Sequence, residues 1–166
     1  MEIIIKFSYT GIIFWNEVID LFDLIKSADF LGIDEIKEEG IKVLASDLDP
    51  LQSIDAYHLS FICNNVLLKR KSQGTIFENF EIISETREFL KLDIDALKDI
   101  LSNDPVIRCT EKIFEGILRW LVEDLDRRKL CLMDIFELIQ CGSVDLNMIA
   151  KIASNGKILT ESPQHK

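Results

Sequence analysis

The stretch Ser27-Ala28-Asp29-Phe30-Leu31-Gly32-Ile33, continued to Leu48-Asp49-Pro50, decides the fold of this chain. It predicts a helix that ends at a glycine, a second helix, and a third helix that starts at a proline. Glycine suits the position just after a helix because it adopts the left-handed conformation without strain. Asp49 followed by Pro50 is a helix-start signal, since aspartate accepts hydrogen bonds from the first turn and proline loses no bond there.

Helical periodicity continues on both sides of this stretch. Residues 17–31 have apolar side chains at helical spacing, with Asn16 as the predicted N-cap, and Asp34 is predicted to cap the next helix. Gly40 weakens that helix by about 1 kcal/mol relative to alanine, which suggests a packing reason for it. Residues 111–125 carry the widest apolar stripe, formed by Ile113, Phe114, Ile117, Leu118, Trp120 and Leu121. We predict an all-α bundle of stacked antiparallel helix pairs, with 111–125 in its centre.

Weaker patterns complete the predicted element order. Further helices are expected at 66–82, 86–90, 93–101, 132–139 and 147–153, and residues 156–166 are predicted to form a disordered tail. By propensity alone, Ile3-Ile4-Ile5 and Ile12-Ile13-Phe14-Trp15 favour strands. These two short runs are the exception to a helical pattern.

Composition limits the class of partner. The chain has 166 residues, of which 48% are apolar and 29% charged, and its net charge is −10. That balance argues against nucleic acid or an anionic membrane surface as the main partner, and Lys69-Arg70-Lys71 is interpreted as a solvated helix end. No apolar run approaches the roughly 20 residues of a membrane span, and no signal peptide is recognisable. We therefore expect a cytoplasmic protein, with the nucleus as the other compartment.

Residues that carry chemistry are scarce. The four cysteines match no zinc pattern, and Cys63 and Cys131 are predicted to be small buried hydrophobic residues. There are two histidines, His58 and His165, and no glycine-rich phosphate loop. Carboxylates are abundant, yet helix caps and solvated faces account for them. We predict no catalytic residue, no cofactor and no metal, and hence a binding module rather than an enzyme.

Five segments, in register, resemble the BTB–BACK region of Kelch-like proteins. The family patterns "AADxLxI", "FLxxxLDPxNC", "NFxxVxxTxEFLxL" and "ExVFEAVLRW" correspond to residues 27–33, 43–53, 79–92 and 111–120, and the turn with its tyrosine corresponds to Phe7-Ser8-Tyr9-Thr10-Gly11. The resemblance implies the C-terminal part of a BTB domain at 1–49 and an all-helical BACK domain at 50–155. It also implies that residues 2–8 end a helix, against their strand propensity.

The resemblance further implies a function. Such proteins are adaptors that bind the N-terminal region of the cullin-3 scaffold and present a protein substrate, here unknown, to a RING-type ubiquitin ligase. The family's turn tyrosine corresponds to Tyr9, and the first helix of its scaffold-binding groove carries Tyr57, His58, Phe61 and Ile62. Most of the BTB domain and the Kelch repeats are missing, so a piece of a longer product and a shortened relative both stay open.

Two other functions stay open at this point. The chain could instead be a non-ligase helical scaffold that binds another BTB chain in cytoskeletal or transcriptional complexes. An enzyme would require a polar pocket with converging titratable groups.

Overall fold

The computed structural model describes residues 2–12, 20–102, 111–131 and 134–135, and the chain divides into two units, Met1–Phe89 and Leu90–Lys166. Within these described residues the regular structure is entirely helical, which confirms the all-α prediction. The helices are α1 (Glu2–Thr10), α2 (Leu21–Leu31), α3 (Asp34–Ser46), α4 (Ser53–Ile62), α5 (Val66–Glu78), α6 (Phe80–Ile83), α7 (Arg87–Leu90), α8 (Ile94–Leu101), α9 (Glu111–Glu123) and α10 (Leu125–Arg128), with 3-10 turns at Pro50–Gln52 and Lys129–Cys131.

The first helix, α1, forms despite the strand propensity of its isoleucines. Ile3 and Ile4 are buried, and the half-buried Phe7 lies one turn further along the same face. This face packs against Leu24, Ala28 and Ile36, which belong to α2 and α3. The strand predicted for residues 3–5 is therefore wrong and the helix implied by the resemblance is correct, because burial against two helices outweighs an intrinsic preference of this size.

The start of α2 differs from the prediction and its end agrees with it. Asp20 is the N-cap, and its carboxylate accepts hydrogen bonds from the main-chain N–H groups of Phe22 and Asp23. The predicted cap, Asn16, lies outside the described residues. Gly32 ends the helix at φ +68°, in the left-handed region, as predicted.

Helix α3 begins without the predicted cap. Asp34 is its first residue, and its carboxylate accepts a hydrogen bond from Lys37 Nζ at 2.6 Å instead of from the main chain. The packing reason expected for Gly40 is confirmed, because a Cβ at that position would lie 2.8 Å from Cγ1 of Ile25. The missing side chain lets α2 and α3 approach closely.

Helices α4 and α5 form the next pair. Asp49 accepts a hydrogen bond from Leu51 N–H at 2.9 Å, which confirms it as a cap, and a 3-10 turn then leads into α4. The helix predicted over 66–82 is divided at Asn79. Helices α2, α3, α4 and α5 share one apolar core. Its buried members are Ile25, Ile41, Leu44, Ala45, Leu48, Ala56, Leu59, Cys63 and Leu68.

In the second unit, α9 has the buried face that its sequence predicts. Trp120 is fully buried, and Asp93 caps α8 through a hydrogen bond from Ala96 N–H at 2.7 Å. The segments at 136–139 and 147–153 and the tail 156–166 lie outside the described residues. Among the helices that are described, none is long and apolar enough to cross a membrane.

Candidate protein-binding groove

An open groove of about 640 Å³ runs between α2 and α4 in the first unit. Leu44 and Leu59 are buried and form its apolar floor. The half-buried Leu21 and Phe22 form one wall, and Ile62 is exposed at the opposite rim. The groove therefore offers apolar contact area that is already shaped in the unbound chain.

The rest of the groove lining is polar. Its members are Asp20, Asp23, Lys26, Gln52, Asp55 and His58. The positions of Asp55, His58 and Ile62 differ by three and four residues, so they lie on one face of α4. Asp20 and Asp23 stand at the start of α2 because that helix needs a cap and favours negative charge there.

The groove has the chemistry of a binding surface. The described part of its lining contains no serine, threonine, cysteine or tyrosine. Among the described residues, His58 makes no hydrogen bond to Asp20, Asp23 or Asp55, and no cluster of three or more potential ligands could hold a metal ion. These side chains offer apolar contact area, hydrogen-bonding groups and charge to a bound molecule.

Two of the predicted binding residues, His58 and Ile62, line this groove together. Phe61 is 53% exposed but lies outside the lining, and Lys69 Nζ stands 5.0 Å from the centroid of its ring. Tyr57 is 1% exposed, and its ring meets that of Phe61 edge-on at 5.0 Å. Tyr57 is therefore buried against Phe61 and does not form part of the exposed face of α4.

The fifth predicted residue, Tyr9, lies on α1 and does not line the groove. It is 88% exposed. Ile5 is also exposed and lies one helical turn before Tyr9, and the exposed Ile12 follows the end of α1 at Thr10. The structure therefore describes a second apolar surface, the α1 stripe, which consists of these three residues.

The sequence-based prediction missed the acidic part of the groove. Asp20, Asp23 and Asp55 were not singled out, because carboxylates in first turns are explained by helix capping alone. A signal for Asp55 was present, since it precedes His58 and Ile62 at helical spacing. No comparable signal placed α2 opposite α4, because their contact depends on the tertiary fold.

Comparison with known proteins places this chain in a family. The model of the BACK family, described as "BTB And C-terminal Kelch", matches residues 53–154. The chain is 28% identical over 130 residues to Kelch-like protein 25 of Xenopus tropicalis, covering 78% of this chain and 22% of that protein. Kelch-like protein 24 of Homo sapiens is 25% identical over 166 residues, covering 99% and 27% respectively.

A third relative has a different name and a match about as long as the first. Kelch repeat and BTB domain-containing protein 8 of Homo sapiens is 27% identical over 137 residues, covering 82% of this chain and 23% of that protein. The chain thus spans about a quarter of the length of the curated relatives that it matches.

Proposed function

Because the chain belongs to the BACK family and its relatives are Kelch-like proteins, a family of protein-interaction adaptors, we propose that it is a non-catalytic adaptor that binds the N-terminal region of cullin-3. Its role is to position a protein substrate for a RING-type ubiquitin ligase. The observation that supports this best is the groove between α2 and α4, which contains His58 and Ile62. Bond making and breaking belong to the recruited ligase.

The proposal includes a domain assignment. Residues 1–49 form the C-terminal part of a BTB domain, 50–155 form the BACK domain, and 156–166 form a tail. The groove then has one wall from each domain, since α2 precedes this boundary and α4 follows it. We place the protein in the cytoplasm, with the nucleus as a second compartment.

The groove has the anatomy of a protein interface. Leu44 and Leu59 supply a desolvated apolar floor, and the polar side chains around it supply a rim. Few contacts carry most of the energy of such interfaces, and those lie where a side chain enters a preformed pocket. Ile62 is exposed beside this floor, so its truncation removes contact with a partner without opening the buried core.

The first test uses isothermal titration calorimetry with the purified cullin-3 N-terminal region. Ile62→Ala should weaken binding about tenfold, because it removes apolar contact at the groove rim. Leu67→Ala is the matched control, since Leu67 is exposed to the same degree and lies outside the groove lining. Circular dichroism of each variant verifies that the helices remain folded.

The second test concerns the two predicted residues outside the groove. Tyr9→Ala and Phe61→Ala should each weaken cullin-3 binding, whereas Phe30→Ala, which alters another highly exposed aromatic side chain, should not. A wild-type chain that does not bind the cullin-3 region would overturn the proposal. Wild-type binding that all three substitutions, at Tyr9, Phe61 and Ile62, leave unchanged would reject the assigned surface.

The α1 stripe supports a second candidate function. Ile5, Tyr9 and Ile12 expose apolar area that suits a helical scaffold binding another BTB chain outside any ligase. Sedimentation velocity of this chain mixed with a purified BTB domain tests that function. A monomer with no affinity for the BTB domain would reject it.

A further inference from the structure

The charges around the groove are unbalanced. The carboxylates of Asp20, Asp23 and Asp55 line the groove. Among the described lining residues, Lys26 carries the formal positive charge. The formal charge of the described lining is therefore negative by two. The chain as a whole is also acidic, with a net charge of −10, so its long-range field has the same sign as the groove.

Helix ends offset part of this negative charge. Asp20 accepts hydrogen bonds from two N–H groups of α2, Asp23 lies in the first turn of α2, and Asp55 lies in the first turn of α4. Each helix N-terminus contributes about half a positive elementary charge, so the two ends together compensate for about one of the two excess charges. The groove remains acidic after this correction.

We propose that the groove selects a cationic segment of its protein partner, in which lysine or arginine side chains alternate with apolar ones. The apolar side chains occupy the floor formed by Leu44 and Leu59, and the cations meet the carboxylates of Asp23 and Asp55 at the rim. This inference rests on the proposed function in treating the groove as a docking site. Beyond that function, it specifies the charge of the bound segment and the residues that recognise this charge.

Two labelled peptides test the charge selection. One alternates arginine with leucine over twelve residues, and the other has glutamate at every arginine position. Fluorescence anisotropy at low salt should show at least about tenfold tighter binding of the arginine peptide, with a difference that shrinks as salt rises. Amide chemical shifts should change at the groove residues in an NMR titration.

A matched pair of variants separates the groove from the general acidity of the chain. Asp23→Asn/Asp55→Asn should weaken binding of the arginine peptide about three- to tenfold and reduce its salt dependence. Glu35→Gln/Glu78→Gln removes the same number of charges from exposed positions outside the lining and should have little effect. Asp20 is left unchanged because it caps α2.

The outcomes also distinguish this inference from the proposed function. If the cullin-3 region fails to bind while the peptides and variants behave as described, charge selection holds and the cullin-3 assignment falls. If the cullin-3 region binds through Ile62 while both peptides bind equally, or while both double variants act alike, charge selection is overturned and the docking function stands. Failure of both peptides to bind also overturns it.

Discussion

The guanidinium carbon of Arg128 lies 4.1 Å from the centroid of the Trp120 ring, in a cation–π contact. The same guanidinium donates hydrogen bonds to the main-chain oxygens of Trp120, Leu90 and Leu92. The buried indole N–H of Trp120 donates to the Leu92 oxygen at 2.7 Å. Arg128 and Trp120 together therefore fix the chain between α7 and α8 onto α9.

Removing Arg128 should destabilise the chain. Arg128→Ala deprives three main-chain oxygens of a charged donor, and hydrogen bonds of this kind contribute about 1.5–3 kcal/mol each in favourable cases. Because the guanidinium is only partly buried, we expect a total loss of about 2 kcal/mol in the free energy of unfolding. Urea denaturation followed by circular dichroism measures it.

Arg127 provides the control for that prediction. It is highly exposed and its contact with Asp124, at 3.7 Å, is a surface pair within one helical turn. Arg127→Ala should change the free energy of unfolding by less than about 1 kcal/mol. Equal effects of Arg127→Ala and Arg128→Ala would contradict the role assigned to the Arg128 network.

Trp120 and Arg128 should act as one energetic unit. Trp120→Phe removes the indole N–H and changes the ring below the guanidinium, so its cost should depend on whether Arg128 is present. A double-mutant cycle with Arg128→Ala should give a coupling energy of at least about 0.5 kcal/mol. The same cycle with Arg127→Ala should be additive, and additivity in both cycles would contradict the coupling.

The sequence predicted helices better than it predicted their ends. The stripe that includes Trp120 is buried as its spacing indicates, because a helix with so wide an apolar face must be covered. Caps were less predictable since several residues compete for each one. Asp20 caps α2, and the carboxylate of Asp34 binds the Lys37 side chain of the same helix instead of its main-chain N–H groups.

The groove was only half predictable from the sequence. His58 and Ile62 were placed there by resemblance to a family, and the structure brings them together on one wall. The helix–helix approach that creates the opposite wall depends on α2 and α4 sharing the buried core with Ile25 and Leu59. Such contacts join residues more than 30 positions apart, and periodicity within a single helix carries no information about them.

Gly40→Ala should lower the free energy of unfolding. The added Cβ would meet Cγ1 of Ile25 at 2.8 Å, so the Ile25 side chain would have to move or α2 and α3 to separate, which costs about 1–3 kcal/mol. Gly74 is the matched control, since it also lies in a helix and a Cβ there has nothing within 4 Å. Gly74→Ala should stabilise the chain by about 0.5–1 kcal/mol through helix propensity.

A cycle with Ile25→Ala identifies the cause. In the Ile25→Ala background the clashing atom is absent, so Gly40→Ala should cost less there than in the wild type. Thermal and urea denaturation of the four proteins provide the comparison. A Gly40→Ala protein as stable as Gly74→Ala would contradict the close packing of α2 on α3.

The thiol of Cys63 should react slowly with alkylating reagents in the folded chain. Burial raises the pKa of Cys63, with a further increase from the negative charge of Asp29, so at pH 8 it carries less thiolate than an ordinary cysteine. Iodoacetamide at pH 8 should modify Cys63 at least about tenfold more slowly in the folded chain than in urea. Peptide mass mapping separates Cys63 from the partly buried Cys131 and the other cysteines.

The same shift predicts how stability depends on pH. Between the pKa of the unfolded thiol and the higher pKa of the folded one, the folded chain binds more protons than the unfolded chain. The contribution of Cys63 to the free energy of unfolding is therefore full below the ordinary thiol range and is lost as the pH rises through the folded pKa. Cys63→Ala should remove this part of the alkaline decline in urea titrations at about pH 7 to 10. An equally steep decline in the variant, or equal alkylation rates in folded and unfolded chains, would contradict the burial of a protonated Cys63.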